Sequence, residues 1–190
     1  MLQKQKKIAD QRPSSESTHF WSCRNESIPM HLNKDLREFI ELLNSSKVEF
    51  LVVGAFAVAW HGYPRFTADI DFFVRPAPEN ADAILAALQA FGFGSLDITR
   101  DDLCLPDRII QLGVKPNRID IITSIAGVNF ETAWVGRASG HLDGIPVNFI
   151  GRKDLIHNKE ATGRAKDLGD AEELRKRDTA KEYDRDEDNS

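Results

Sequence analysis

The chain has 190 residues, a formal net charge of -5 and 41% hydrophobic residues, which suits one globular domain with a substantial core. Its longest apolar stretch, residues 50–60, is far shorter than the roughly 20 residues of a membrane span, and no basic-then-apolar signal opens the chain, so we expect a cytoplasmic protein without a membrane partner. No segment is strongly basic, so the sequence predicts no broad basic surface of the kind that binds nucleic acid.

Composition divides the chain into three parts. Residues 1–30 are polar and show no sustained period, so we expect a disordered tail there. Residues 31–177 carry the hydrophobic patterns of a single domain, and residues 178–190 are expected to form a disordered acidic tail. Because Met30 directly precedes the patterned part, we hypothesise that translation begins there; peptides from upstream of Met30 in the native protein would reject this.

The first elements of the domain are a helix, a strand and a second helix. Asn33 is a good N-cap, and apolar residues at helical spacing predict a helix from there to about Ser45. Residues 48–53 are nearly all apolar, as in a buried strand. Gly54 ends this run, and residues 55–61 follow as a short apolar helix. A glycine between strand and helix lets phosphate oxygens approach the backbone closely, although it also serves simply to turn the chain.

An acidic strand follows at residues 69–74. Alternate side chains of a strand share a face, so Asp69 and Asp71 point one way and their apolar neighbours point into the core. Two adjacent carboxylates repel each other unless a cation lies between them, and such hard oxygen ligands suit magnesium or manganese. The pattern therefore favours a metal site on this strand, with a solvated acidic face as the alternative.

The second half of the domain combines helices with two hairpins. Residues 95–107 are polar and turn-like, and we expect a loop over the site. A Lys-Pro-Asn link and an Asp-Gly turn predict the hairpins. The predicted elements are a helix at 79–91, strands at 108–114 and 118–123, a helix at 129–135, a hairpin turn at 142–145, a strand at 147–150, and helices at 153–161 and 167–177.

Asp120 is a charged residue in the middle of an apolar strand. Burial there is costly without a partner, and alternation places Asp120 on the face opposite Ile119 and Ile121, which would be the face of the acidic pair. An edge-strand aspartate facing water is the alternative. The charged segment 159–170 is similarly open to two interpretations, a set of bases that neutralise a triphosphate or a solvated helix face.

Taken together, these residues resemble the polymerase-beta-type nucleotidyltransferase superfamily, in which a glycine turn precedes an Asp-x-Asp strand and a third carboxylate. The stretches VGAFAVAWHGYPRFTADIDFFV, RIDIIT and KEATGRAKDLGD are similar to a branch of uncharacterised nucleotidyltransferase-like proteins that is related to the nucleotidyltransferase toxins of abortive-infection, type IV toxin–antitoxin systems. The resemblance implies an α/β (α+β) nucleotidyltransferase fold, with a short mixed sheet flanked by helices.

The resemblance also implies a set of site residues. Asp69, Asp71 and Asp120 would be the catalytic residues and would bind two Mg²⁺ or Mn²⁺ ions, with Asp120 taking the proton of the acceptor hydroxyl. The residues expected to bind the nucleotide, directly or by supporting the acidic strand, are Gly54, Ala55, Arg65, Thr67, Lys159, Arg164 and Lys166. The superfamily often has serine where this chain has Ala55, so the backbone and Arg65 would have to replace that hydroxyl contact.

The reaction that the resemblance implies is transfer of NMP from an NTP to an acceptor hydroxyl, on tRNA, a protein or a small molecule, with release of pyrophosphate. The alternative is a non-catalytic nucleotide-binding module or one half of a toxin–antitoxin pair with an antitoxin partner. A glycosyltransferase also uses Asp-x-Asp, with a nucleotide sugar, but such domains usually contain a larger sheet.

Overall fold

A computed structural model describes residues 32–67, 69–114 and 118–187, with side chains up to Lys176. Among these residues, six strands form one mixed sheet in the order β3-β4-β2-β1-β6-β5. The strands are β1 (Phe50–Val53), β2 (Asp69–Val74), β3 (Ile109–Leu112), β4 (Arg118–Ile122), β5 (Ala138–Leu142) and β6 (Ile145–Phe149).

Parallel and antiparallel pairs alternate across this sheet. Strand β2 pairs antiparallel with β1 and parallel with β4, while β1 also pairs parallel with β6. The outer pairs, β3–β4 and β5–β6, are antiparallel hairpins, as the two turn signals predict. Asp143 and Gly144 both have positive φ, 48° and 80°, which is the geometry that favours Asp-Gly in a two-residue hairpin turn. The centre of the sheet is therefore the antiparallel pair β1–β2.

In the part of the chain that the structure describes, seven α-helices connect and flank the strands. Helix α1 begins after the Asn33 N-cap, whose side chain accepts a hydrogen bond from the Leu36 amide, as predicted. Helix α6 ends at Gly163, which has φ 65° in the left-handed region. The helices are α1 (Lys34–Ser45), α2 (Gly54–Trp60), α3 (Pro78–Leu88, continued by a π-helical turn at Gln89–Phe93), α4 (Arg100–Cys104), α5 (Phe130–Val135), α6 (Arg152–Thr162) and α7 (Ala165–Glu187).

The two faces of the sheet carry different helices. On one face, Phe72 of β2 packs against Phe39 of α1, with ring centroids 6.0 Å apart. On the other face, Phe73 packs edge-to-face on Phe130 of α5 at 5.1 Å. All four of these rings are buried. Because side chains alternate along β2, Asp69 and Asp71 lie on the same face as Phe73.

The mixed α/β architecture predicted from the sequence is confirmed, with two differences in detail. Residues 95–107 are not a simple loop over the site: Thr99 caps the short helix α4 through a capping box with Asp102. Arg100 of this helix pairs with Asp82 of α3, and the carbonyl of Leu105 accepts from Thr123, beyond the end of β4 that is remote from the acidic residues.

The C-terminal helix is longer than its pattern predicts. The apolar periodicity indicates an end at residue 177, whereas α7 continues to Glu187. The disordered state of residues 178–190 stays a prediction, and the predicted tail at residues 1–30 lies outside the described residues. Within the described ranges, every helix is too short or too polar to cross a bilayer.

Candidate active site

Four side chains form a square on one face of the sheet, at the point where β2 and β4 run side by side. In the parallel register, Asp69 lies opposite Arg118 and Asp71 lies opposite Asp120. The period of two residues puts both members of each strand on the same face. The three carboxylates that the sequence analysis singled out are therefore brought together, and a guanidinium joins them.

Arg118 bonds to two of the three carboxylates. Its Nε donates to Oδ1 of Asp120 at 2.8 Å, and its Nη2 donates to Oδ2 of Asp120 at 2.8 Å and to Oδ2 of Asp69 at 2.9 Å. Gln111 of β3 adds a longer contact from its Nε2 to Oδ2 of Asp120, at 3.4 Å. This fork geometry is the strong form of the arginine–carboxylate interaction, so Asp120, which is only 5% exposed, is well satisfied by its own strand and by β3.

Asp71 is in a different electrostatic position. No hydrogen bond or ion pair joins its carboxylate to any other residue in the described part of the chain. Burial, followed by the negative charges of Asp120 and Asp69, raises the pKa of Asp71 to about 6. The nearby cations Lys159 and Arg118 act in the opposite direction and offset this only in part. Asp71 is thus the carboxylate of the square that lacks a cation of its own.

The turn from β1 into α2 lies directly against Asp71. Gly54 has φ +61°, and a β-carbon at this position would be 2.0 Å from Oδ2 of Asp71. Real β-carbons do not approach an atom so closely, so both the backbone conformation and the space require glycine here. Ala55 follows with its methyl group buried. Gly54 therefore does more than turn the chain, because its lack of a side chain admits the Asp71 carboxylate.

The segment before β2 is held at both ends. Arg65 forms a bidentate pair with Asp170 of α7, with Nε–Oδ1 and Nη2–Oδ2 distances of 3.0 and 2.9 Å. The hydroxyl of Thr67 donates to the carbonyl of Asp69 at 3.0 Å, which supports the start of the acidic strand. Between these two anchors, the side chain of Phe66 is 87% exposed.

Lys159 is a buried cation, 6% exposed, that joins two acidic residues of α7. Its Nζ bonds to Asp167 and lies 3.2 Å from Oδ2 of Asp170. Burial alone would raise the pKa of Asp167, but hydrogen bonds from Lys159 and Thr162 hold it below its usual range. Asp170 is shared between Lys159 and Arg65, so two predicted nucleotide-binding residues are engaged in one internal ion network.

Arg164 lies in the turn between α6 and α7, Lys166 lies in the first turn of α7, and both residues are exposed. Arg164 contributes positive charge to the surroundings of Asp167. Among the described residues, neither Arg164 nor Lys166 forms a hydrogen bond or ion pair with the three carboxylates of the square. The fold thus separates the four predicted basic residues into two that are bonded to carboxylates of α7, Arg65 and Lys159, and two that are exposed.

The sequence analysis did not identify Arg118 and Gln111 as part of this site. Arg118 stands two residues before Asp120 on the same strand, and the two-residue alternation was a sufficient signal that both side chains share a face. Gln111 could not be found in this way, because its position opposite Asp120 depends on the register between β3 and β4.

The donor atoms of the square suit a divalent cation in part. Carboxylate oxygens are the ligands that Mg²⁺ and Mn²⁺ prefer, and no cation is bonded to the carboxylate of Asp71 within the described residues. In the described ranges, however, no group of three or more His, Cys, Asp or Glu residues is arranged to hold an ion, and Arg118 holds Asp69 and Asp120. The fit is therefore best at Asp71, partial at Asp69, where Arg118 is bonded to one oxygen, and conditional at Asp120.

Comparisons with known proteins give one informative result. No family model matches the chain, and no curated protein matches it. Among solved structures, the chain is similar to the crystal structure of a "putative nucleotidyltransferase" from Thermotoga maritima, with a TM-score of 0.48 and 19% sequence identity, over 74% of this chain and 88% of that one.

Proposed function

We propose that the chain is a nucleotidyltransferase that moves NMP from an NTP to an acceptor hydroxyl. The observation that carries the proposal is the position of Asp71, adjacent to Asp120 across two parallel strands and in contact with the glycine turn before α2. This arrangement concentrates negative charge beside the start of α2, and a divalent cation there would offset it. The same proposal includes membership of the nucleotidyltransferase branch that is related to the abortive-infection toxins.

Asp69 and Asp71 would hold Mg²⁺ or Mn²⁺ through their carboxylate oxygens. When bound, such an ion supplies positive charge that stabilises the phosphoryl oxygens in the transition state. The raised pKa of Asp71 supports this assignment, because it comes from burial of the carboxylate and from the negative charges of Asp120 and Asp69, which a bound cation would offset. Thr67 would keep Asp69 in register through its bond to the Asp69 carbonyl.

In the proposed reaction, the acceptor oxygen forms a bond to the α-phosphorus, and the bond from that phosphorus to the oxygen of the β-phosphate breaks. Pyrophosphate leaves, and Asp120 takes the proton of the hydroxyl. An ionised carboxylate offers about four lone-pair positions, so Asp120 can accept this proton while it remains bonded to Arg118.

The phosphate side of the site would be formed by Gly54 and Ala55, through the backbone, and by basic residues around α7. Arg164 and Lys166 are the exposed cations of that region and would contact phosphate or the acceptor. Arg65 and Lys159 are already bonded to Asp170 and Asp167, so their direct contact with phosphate would be in competition with these carboxylates.

The proposal is tested with α-³²P-labelled NTPs and Mg²⁺, offered with tRNA, protein and small hydroxyl acceptors. We expect transfer of label that is lost by at least about a hundredfold in Asp71→Asn. Asp82→Asn is the matched control, because Asp82 pairs with Arg100 on the surface far from the square. The absence of transfer to any acceptor, with intact NTP binding, would contradict the proposal.

A second candidate is a non-catalytic nucleotide-binding module or the partner of an antitoxin. The observation that favours it is Arg118, which neutralises two carboxylates without any ion, together with Ala55 in place of a hydroxyl side chain. Thermal shifts separate the candidates. A Mg²⁺-dependent shift with NTP that Asp71→Asn abolishes favours the enzyme, and a shift with a protein partner alone favours the module.

A further inference from the structure

The guanidinium of Arg118 brings a positive charge between two of the three carboxylates of the site. We propose that the guanidinium of Arg118 permanently takes the place that a second divalent ion would need, so that the site binds a single Mg²⁺ or Mn²⁺ at Asp69 and Asp71. This inference rests on the proposed function, because it concerns the metal content of the same site, and it departs from the two-ion arrangement that the resemblance implies.

The first support is that Arg118 already engages both oxygens of Asp120. Each oxygen accepts from Arg118 at 2.8 Å, and Gln111 approaches from the neighbouring strand. A divalent ion bridging Asp120 and Asp69 would have to occupy the space that Nη2 of Arg118 fills, within 2.9 Å of both carboxylates. Two cations repel strongly at such distances in a partly buried site, so the two arrangements exclude each other.

The second support is the way in which Arg118 is placed. It reaches Asp120 from two residues earlier on the same strand, and it lies directly opposite Asp69 in the register of β2 and β4. Both strands are interior strands of the sheet, so their pairing fixes the backbone at both ends of the bridge. The planar guanidinium fork loses less side-chain freedom per hydrogen bond than a flexible ammonium would.

The third support is the contrast between the carboxylates. Asp71 has no hydrogen-bond or ion-pair partner within the described ranges, and its carboxylate lies against the glycine turn at Gly54. The carboxylate farthest from the guanidinium is thus the one left for an ion, with Asp69 as its neighbour along the strand. One ion at this end and one guanidinium at the other end would place a positive charge beside every carboxylate.

The experiment counts bound Mn²⁺ by electron paramagnetic resonance, using Mn²⁺ alone and the full chain. We expect about one ion per wild-type chain and about two in Arg118→Gln, because that substitution frees Asp120 for metal. Arg100→Gln, which removes an arginine of a surface pair, is the matched control and should leave the count at one. Two ions in the wild type, or no increase in Arg118→Gln, would overturn the proposal.

Two carboxylate variants keep the test decisive if Arg118→Gln does not fold. Asp120→Asn should retain one ion with an affinity within about threefold of the wild type, whereas Asp71→Asn should lose it. A clear loss of Mn²⁺ in Asp120→Asn would overturn the proposal, as would an absence of Mn²⁺ binding in the wild type. Because these counts need no nucleotide, they are read independently of the transfer assay that tests the proposed function.

Discussion

Gly54→Ala should destabilise the protein by two separable effects. A β-carbon at φ +61° costs roughly 1–2 kcal/mol, because the left-handed region disfavours L-residues. The added carbon would also lie 2.0 Å from Oδ2 and 2.9 Å from Cγ of Asp71, so the carboxylate must leave its rotamer, at a further cost of roughly 1 kcal/mol. We expect a total loss of roughly 2–3 kcal/mol in the free energy of unfolding, measured by urea denaturation, and a fall of roughly 4–12 °C in Tm.

Gly163→Ala is the matched control for this prediction. Gly163 has almost the same backbone conformation, φ +65°, but nothing lies within 4 Å of a β-carbon added there. Its substitution should show the backbone cost alone. The difference between the two variants should shrink when both are made in an Asp71→Ala background, because the contact is then removed. Equal losses for Gly54→Ala and Gly163→Ala would refute the argument that Asp71 requires this glycine.

Two further substitutions test the electrostatics of the site. Lys159→Met should cost roughly 3–5 kcal/mol in unfolding free energy, because Asp167 and Asp170 would stay buried without their shared cation; Lys176→Met, on the exposed surface, should change it by less than about 0.5 kcal/mol. Asp71→Asn in EDTA should flatten the pH dependence of stability between about pH 4 and pH 7. The folded-state pKa is raised from 3.8 to about 6, so the wild type should lose up to roughly 3 kcal/mol as pH rises through this window. A wild-type curve as flat as that of Asp71→Asn would show that Asp71 ionises as easily in the folded chain as in the unfolded one.

The alternation of side chains along strands was the sequence pattern that best predicted which carboxylates lie together. Asp69, Asp71 and Asp120 could be placed on one face because each lies in an apolar strand whose period is two residues. The parallel pairing of β2 with β4 then puts Asp71 directly beside Asp120. The first helix cap and the Asp-Gly hairpin turn could also be predicted, because Asn33 and the Asp143–Gly144 turn act through local backbone geometry.

Local sequence patterns could not predict the burial that results when distant segments pack together. Lys159 is buried by the packing of α6 on α7, so its burial depends on tertiary structure. Helix α4 is a different case. Its capping box, Thr99 with Asp102, was present in the sequence, but the segment has too few apolar residues to show a helical period.

The Arg65–Asp170 pair connects the C-terminal helix α7 to the segment before β2, in addition to the packing contacts of α7. Through this pair, α7 holds the segment that leads into the acidic strand, and through Lys159 it holds α6 as well. A purification tag or a truncation that unwinds α7 near Asp170 would consequently loosen the entrance to β2 from more than a hundred residues away. Engineering of this protein should therefore leave the first two turns of α7 intact.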